Sequence, residues 1–210
     1  VPRPRSLTQA GIAAAALAVI DRDGLPALSM RAVATELGMG TMSLYRYVSD
    51  REELETWVVD HVLSGIDLEV PPRASWQRQL TVLAERLREA VAGHPATIPL
   101  LVARRHAAPS SVRWIEATLG AFTRAGFTGK ERVIAQRTLV SYLLGALQSE
   151  HYGALSGAGT AAMAALPGDE FPLVAETAAL ARTVPAATEF RRGLTVVLRG
   201  LEQSRRSGGQ

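Results

Sequence analysis

The chain contains no cysteine, which excludes disulfide frameworks, thiol nucleophiles and every Cys-based metal site at once. A reducing cytoplasm fits that absence. Aromatic residues make up only 5% of the 210 residues, and Lys130 is the only lysine among 23 basic side chains. The high sequence pI of about 9.8 owes much to that choice of arginine, because the formal net charge is only +3. Charge alone therefore favours a polyanionic partner weakly. Long hydrophobic runs are missing too. The longest, Ala10 to Ile20, is about half of the ~20 residues that a membrane span requires, and Asp21-Arg-Asp23 ends it. Val1-Pro-Arg-Pro-Arg5 does not open a secretory signal, since no apolar segment with a small-residue cleavage site follows it. A start at Val1 is compatible with further residues upstream. His61, His94, His106 and His151 are too scattered for a metal pair at helical spacing, and H-E-x-x-H, G-x-S-x-G and G-x-x-x-x-G-K are all absent. The expectation is a protein that is not an enzyme and has neither metal nor cofactor.

What is present is a globular composition, 47% hydrophobic and 20% charged, with mean hydropathy +0.08. Apolar residues recur at helical spacing nearly everywhere while period-two alternation is absent, so the fold class is all-α. The first helix is expected over Leu7–Arg22, N-capped by Ser6 and ended by Gly24 and Pro26. Two short helices follow, Met30–Leu37 capped by Ser29 and Thr41–Tyr47, with Gly38-Met39-Gly40 between them. Ser49 or Asp50 caps another helix that reaches about Ile66. Pro71-Pro72 marks the best boundary. Beyond it, Trp76, Leu80, Leu83, Leu87 and Val91 form one stripe on a helix ending near Gly93, and Val112, Ile115, Leu119 and Phe122 form the next. Thr128-Gly-Lys-Glu131 has the form of a capping box and opens a long helix to about Tyr152. Gly153–Pro172 reads as a loop with marginal helix at best, helices are expected over Leu173–Thr183 and Ala187–Gln203, and Arg205–Gln210 reads as a disordered tail.

Function concentrates in Ser29–Tyr47. Two short helices across a glycine-flanked turn are the construction of a helix-turn-helix, whose second helix is aimed outward. Ala32, Val33, Leu37, Met39 and Leu44 have the spacing of its small core. The exposed face would carry Thr41, Met42, Ser43, Tyr45, Arg46 and Tyr47. Arg46 suits guanine acceptors, Thr41 and Ser43 can donate or accept, and Met42 suits a thymine methyl. Arg31 is near enough to enter the groove. Ser29, Tyr47 and the start of the helix after Ser49, with Arg51, are placed for phosphates. Taken singly, Met42 or Tyr45 is as easily ordinary packing.

Leu28-Ser-Met-Arg31, Ala34, Leu37-Gly38, Leu44-Tyr45-Arg-Tyr47-Val and Arg51-Glu-Glu-Leu54 resemble the DNA-binding domain of the tetracycline repressor (TetR) family. Ser75-Trp76-Gln77, Ile115-Glu116 to Leu119, Thr123-Arg-Ala-Gly126-Phe127 and Leu144-Gly145-Ala146-Leu147 resemble a tetracycline-repressor-like C-terminal domain. The resemblance covers most of residues 1–152. It implies a DNA-binding domain over 1–50, a linking helix over 51–70 and an effector-binding and dimerisation domain over 71–204. It also implies a homodimer through the helices near 130–152 and 187–203, and a ligand-responsive regulator that binds a palindromic double-stranded operator. On α-helical spacing, Phe190, Leu194, Val197, Leu198 and Leu201 make a stripe that serves that dimer or a monomer core equally well.

Candidate effector contacts are Leu83, Leu87, Val102, Arg105, His106, Trp114, Ile115, Thr118, Leu119, Gln136, Tyr142 and Glu150, each also readable as plain core. The tetracycline repressor itself holds magnesium-bound tetracycline with His, Asn and Gln side chains. At the matching places this chain offers Ile66 or Asp67, Leu83 and Thr118, so the polar cage is mostly lost and a more apolar small molecule is expected. Residues 1–60 hold six Arg against eight Asp or Glu, a net −2 that is unusual for a DNA reader. Affinity must then come from placement, with acids such as Asp60 turned away from DNA and Arg3 and Arg5 forming a nonspecific or minor-groove arm.

Overall fold

The computed structural model describes residues 7–152 and 157–207, and all regular structure among them is helical. The N-terminal helix, α1 (Gln9–Asp23), is capped by Thr8, whose hydroxyl accepts from the Gly11 N–H at 3.1 Å. The expected cap, Ser6, lies outside the described residues. Gly24, at φ +83°, ends α1 and leads into a 3-10 turn over Leu25–Ala27. The helices α2 (Met30–Glu36), α3 (Thr41–Leu44) and α4 (Arg51–Leu63) follow. Helix α3 is one turn long, shorter than the expected Thr41–Tyr47, because Tyr45 to Tyr47 close by mixed turns such as Arg46 N–H to Ser43 O. Helix α4 stops at Leu63, short of Ile66, where the Ser64 hydroxyl donates to the His61 carbonyl and competes with continuation.

Two helices then carry the chain onward: α5 (Trp76–Ala92), on the expected stripe, and α6 (Ile98–Arg104), in a stretch where no helix was expected. Pro99 stands in the first turn of α6, where its missing N–H costs nothing. The remaining elements are α7 (Pro109–Arg124), α8 (Gly129–His151), α9 (Ala158–Ala164), α10 (Pro172–Ala181) and α11 (Ala186–Ser207). Three expectations fail here. Thr128 precedes α8 in extended geometry but makes no capping hydrogen bond through its side chain. Helix α9 stands inside the segment read as a loop. Arg205 and Arg206 belong to α11, with Arg206 bonded to Glu202 at 2.6 Å, an i, i+4 pair that extends the helix into the supposed tail.

Two compact units organise these elements. The first comprises residues 1–71 and 82–118 and the second residues 72–81 and 119–210. In the first, α1 buries Ile12, Ala16, Val19 and Ile20, and α4 buries Leu54, Val58, Val59 and Leu63. Removing such side chains from water stabilises by roughly 1.5–3 kcal/mol each. Arg86 fastens the segment after α4, donating to the Asp67 and Glu69 carbonyls and pairing with the Asp67 carboxylate at 2.7 Å. In the second unit, Trp76, Phe122 and Phe127 form a three-ring cluster with centroids 5.2–5.9 Å apart. Helices α8 and α11 pack there, α8 contributing Leu139, Leu143 and Leu147 and α11 contributing Phe190, Leu194, Leu198 and Leu201, all buried. The stripe on α11 is thus consumed within one chain. No helix among the described residues is long and apolar enough to cross a membrane.

Candidate nucleic-acid interface

The Ser29 hydroxyl accepts from the Ala32 N–H at 3.1 Å, which fixes the start of α2. At its other end the Gly38 N–H donates to Thr35 O and the Met39 N–H to Ala34 O, with Gly38 at φ +66°. These paired bonds around a left-handed residue form a Schellman motif, which turns the chain sharply and launches α3 in a new direction. The turn is held from below by Val33, Ala34 and Leu44, all buried. Ala32, Leu37 and Met39, expected in that core, are only half-buried. Ala34 takes the central place because α2 presents Met30, Val33 and Ala34 on one face.

With Leu44 pinned, the opposite side of α3 faces solvent. Met42 is 79% exposed, and Tyr45 and Tyr47 are each 46% exposed. Arg31 and Arg46 are exposed and have no ion-pair partner among the described residues, so two guanidiniums stand available beside two phenols. Thr41 and Ser43 are half-buried at the rim of the same surface, and Ser29 is exposed. Arg3 and Arg5 lie outside the described residues.

Helix α4 begins less open than expected. The Asp50 carboxylate accepts from the Glu53 N–H at 2.8 Å, and Glu53 reaches back to accept from the Ser49 N–H at 2.7 Å. Two acids thereby occupy donors that were assigned to phosphate. Arg51 is tied as well, its Nε donating to Glu55 at 2.9 Å. The other oxygen of that carboxylate accepts from Arg104 Nε at 3.0 Å, and Arg104 also donates to Glu52 at 3.0 Å. These bonds, the one to Glu55 foremost, raise the Arg104 guanidinium above its ordinary value. Asp60 is turned inward to accept from the Ser110 N–H at 2.6 Å.

The candidate effector residues fall into separate groups. Leu83, Leu87, Trp114 and Thr118 are buried in the first unit, where the Trp114 indole N–H donates to the Leu83 carbonyl at 3.1 Å. Ile115 is half-buried and accepts through its carbonyl from the Thr118 hydroxyl. Val102 lies on α6 and Arg105 and His106 directly follow it; Val102 and His106 are exposed, and Arg105 donates to the Val102 carbonyl. In the second unit Leu119 is half-buried and Gln136 buried. Tyr142 and Glu150 line a cavity of about 360 Å³ between α8 and α11. The Tyr142 hydroxyl donates to the Phe190 carbonyl at 2.7 Å, and burial raises its pKa above the usual phenol value. Sequence reasoning missed a larger cavity of about 570 Å³ in this unit, lined by Ser149, Thr160, Met163, Leu173, Val174, Thr177, Ala178 and Ala181, without a charged side chain. Its walls come largely from α9 and α10, in and after the stretch read as a loop.

Two short helices joined across a tight turn, with Met42, Tyr45, Arg46 and Tyr47 exposed on and just after the second, define a helix-turn-helix protein, and comparison with known proteins specifies its kind. Residues 12–54 match the family described as bacterial regulatory proteins, tetR family, and residues 70–205 match the tetracyclin repressor-like C-terminal domain. The chain belongs to the TetR family of transcriptional regulators. The family and these relatives are regulators rather than enzymes. The chain is 34% identical over 155 residues to the HTH-type transcriptional repressor DrrR1 of Streptomyces coeruleorubidus, covering 72% of this chain and 56% of that one. It is 33% identical over 145 residues to an HTH-type transcriptional regulator of Saccharopolyspora erythraea, covering 69% and 61%. The alignments thus span about three fifths of these relatives' length. Among solved structures, the Streptomyces coelicolor TetR family protein ActR in complex with (S)-DNPA aligns with a TM-score of 0.81 at 26% identity, over 94% of this chain and 98% of that one.

Proposed function

We propose that the chain is a ligand-responsive repressor that binds a palindromic operator as a homodimer in the cytoplasm and is released by a small, largely apolar effector. The observation that carries the DNA-binding part is the α3 surface, where Met42, Tyr45 and Tyr47 stand in solvent beside unpaired Arg31 and Arg46. Arg46, Thr41, Ser43 and Met42 would meet base edges, while Ser29, Tyr47 and Arg51 would meet phosphates. Arg3 and Arg5 would supply the arm.

Dimerisation uses α8 and α11 in this reading. Its support is the apolar surface those helices retain after packing on each other: Ile134 is 62% exposed and Val196 69% exposed, with exposed Val133 next to Ile134 in sequence. A twofold pair of recognition helices calls for half-sites about one helical turn, roughly 34 Å, apart or somewhat more. Effector chemistry follows from the uncharged lining of the larger cavity, from the apolar Leu83 and from a Thr118 hydroxyl already donating to the Ile115 carbonyl. The ActR complex with a small molecule favours the same reading.

Selection of duplexes from a random pool tests the proposal. Recovery of a palindromic sequence, bound more weakly as salt rises, is the expected outcome. Binding without symmetry or salt dependence would overturn it.

A further inference from the structure

The acidic excess of residues 1–60 has a structural answer. All eight of its carboxylates are occupied. Asp23 and Glu36 bond to Arg22, at 3.1 and 2.9 Å, and Asp50 and Glu53 bond to backbone N–H groups at the start of α4. The other four turn to a short segment outside residues 1–60. Asp21 meets His94 Nδ1 at 2.8 Å, Glu52 and Glu55 meet Arg104 at 3.0 Å, and Asp60 meets the Ser110 N–H at 2.6 Å. Arg104 is the one arginine of this set, and its two bonds reach the first and second turns of α4, directly behind the helix start assigned to the DNA side.

We infer that Arg104 is an off-site counter-charge for DNA binding: without touching the operator it sets operator affinity by neutralising Glu52 and Glu55. This rests on the DNA-binding reading above. Arg51, Arg104, Glu52 and Glu55 together carry no net charge. Without Arg104 the group becomes net negative, beside a polyanion, and Glu55, whose side chain is only 10% exposed, keeps Arg51 as its sole guanidinium partner. Both changes oppose phosphate contact by Arg51. Because Arg104 ends α6, two residues after Val102 and directly before Arg105, any ligand that displaces this helix from α4 uncovers both carboxylates at once. The counter-charge therefore couples α6 to the operator through electrostatics in addition to any movement of α3.

The test uses the full chain and a duplex selected by the unaltered protein. Arg104→Ala is expected to weaken binding about tenfold at roughly 50 mM salt, with the deficit shrinking to about twofold near 300 mM as screening removes it. Adding Glu52→Gln and Glu55→Gln to that variant restores affinity. The two glutamine substitutions in the presence of Arg104 tighten binding a few-fold, because the guanidinium is then uncompensated. A folded Arg104→Ala protein that binds like the parent overturns the inference, and so does a deficit equal at both salt concentrations, which marks a structural role. If Arg104→Ala does not fold, the Glu52→Gln, Glu55→Gln protein decides: tighter binding supports the inference, unchanged or weaker binding overturns it. Should the unaltered protein select no duplex at all, the DNA-binding reading has failed with Arg104 in place, and the inference falls with it.

Discussion

The α2–α3 pair and the α8–α11 pair use apolar residues in opposite ways. In α2–α3, a few buried side chains, chiefly Val33, Ala34 and Leu44, hold two short helices across a tight turn, and Met42 and the Tyr45–Tyr47 turn after α3 are left to solvent. In α8–α11, two long helices bury matching stripes along their length and leave only scattered apolar residues outside. The first arrangement supports a display surface on a minimal base. The second is a packed pair whose outward face carries Ile134 and Val196 among exposed polar and charged side chains such as Arg137, Arg192 and Arg199. A helix-turn-helix therefore tolerates changes on its display face with little cost to folding, whereas α8–α11 should couple almost every inward change to stability.

The sharpest way to break that contrast is the display face itself. Tyr45→Ala with Arg46→Ala should abolish specific operator binding, a loss of at least about 30-fold if each contact is worth roughly 1–3 kcal/mol. Sedimentation should show an unchanged oligomer and thermal melting an unchanged midpoint. A large drop in melting temperature would mean that these residues belong to the base. Leu44→Ala is the converse case. Removing a fully buried leucine should cost about 2–5 kcal/mol in chemical denaturation, and DNA binding should be lost only as the N-terminal region unfolds.

On the packed side, Gly193→Ala is informative because a Cβ there would lie 2.4 Å from the Tyr142 hydroxyl. The ring must move, breaking its bond to the Phe190 carbonyl, for an expected destabilisation of about 1–3 kcal/mol by overpacking. Val196→Asp should leave the monomer folded and raise the dimer dissociation constant, since that side chain is exposed in the isolated chain. Equilibrium sedimentation across protein concentrations would measure the shift.

The smallest effect concerns Tyr142 and alkaline pH. Its folded pKa is raised, by burial first and then by Glu189, above the ordinary value of 10.0. The unfolded chain therefore loses the phenol proton first, and stability should fall as pH rises above about 10. Tyr142→Phe should flatten that part of the profile. An unchanged slope would place the sensitivity elsewhere.

Much of this architecture was legible in the sequence, and the boundary of legibility has physical causes. The stripes of α5 and α7 repeat over several turns, so each predicted an element that exists. The helix-turn-helix was readable because Gly38, at φ +66°, makes a turn that few other residues can make. Helix α6 was missed because seven residues give too short a window for a periodic signal, and α9 because its alanines and glycine carry no amphipathic pattern. The capping-box sequence at Thr128 matched in letters but not in geometry. For the candidate site, the sequence named the α3 face, but nothing local to Glu52 or Glu55 indicates a partner about fifty residues away.

The bond from Asp60 to the Ser110 N–H has a consequence for how α7 begins. The first N–H groups of a helix lack partners within it, and here one of them is served by a carboxylate from α4. The opening turn of α7 is thus held in part by another helix, and displacing α4 leaves that amide without its partner. The Ser110 amide is in effect an internal gauge: its rate of hydrogen exchange reports whether α4 is in place.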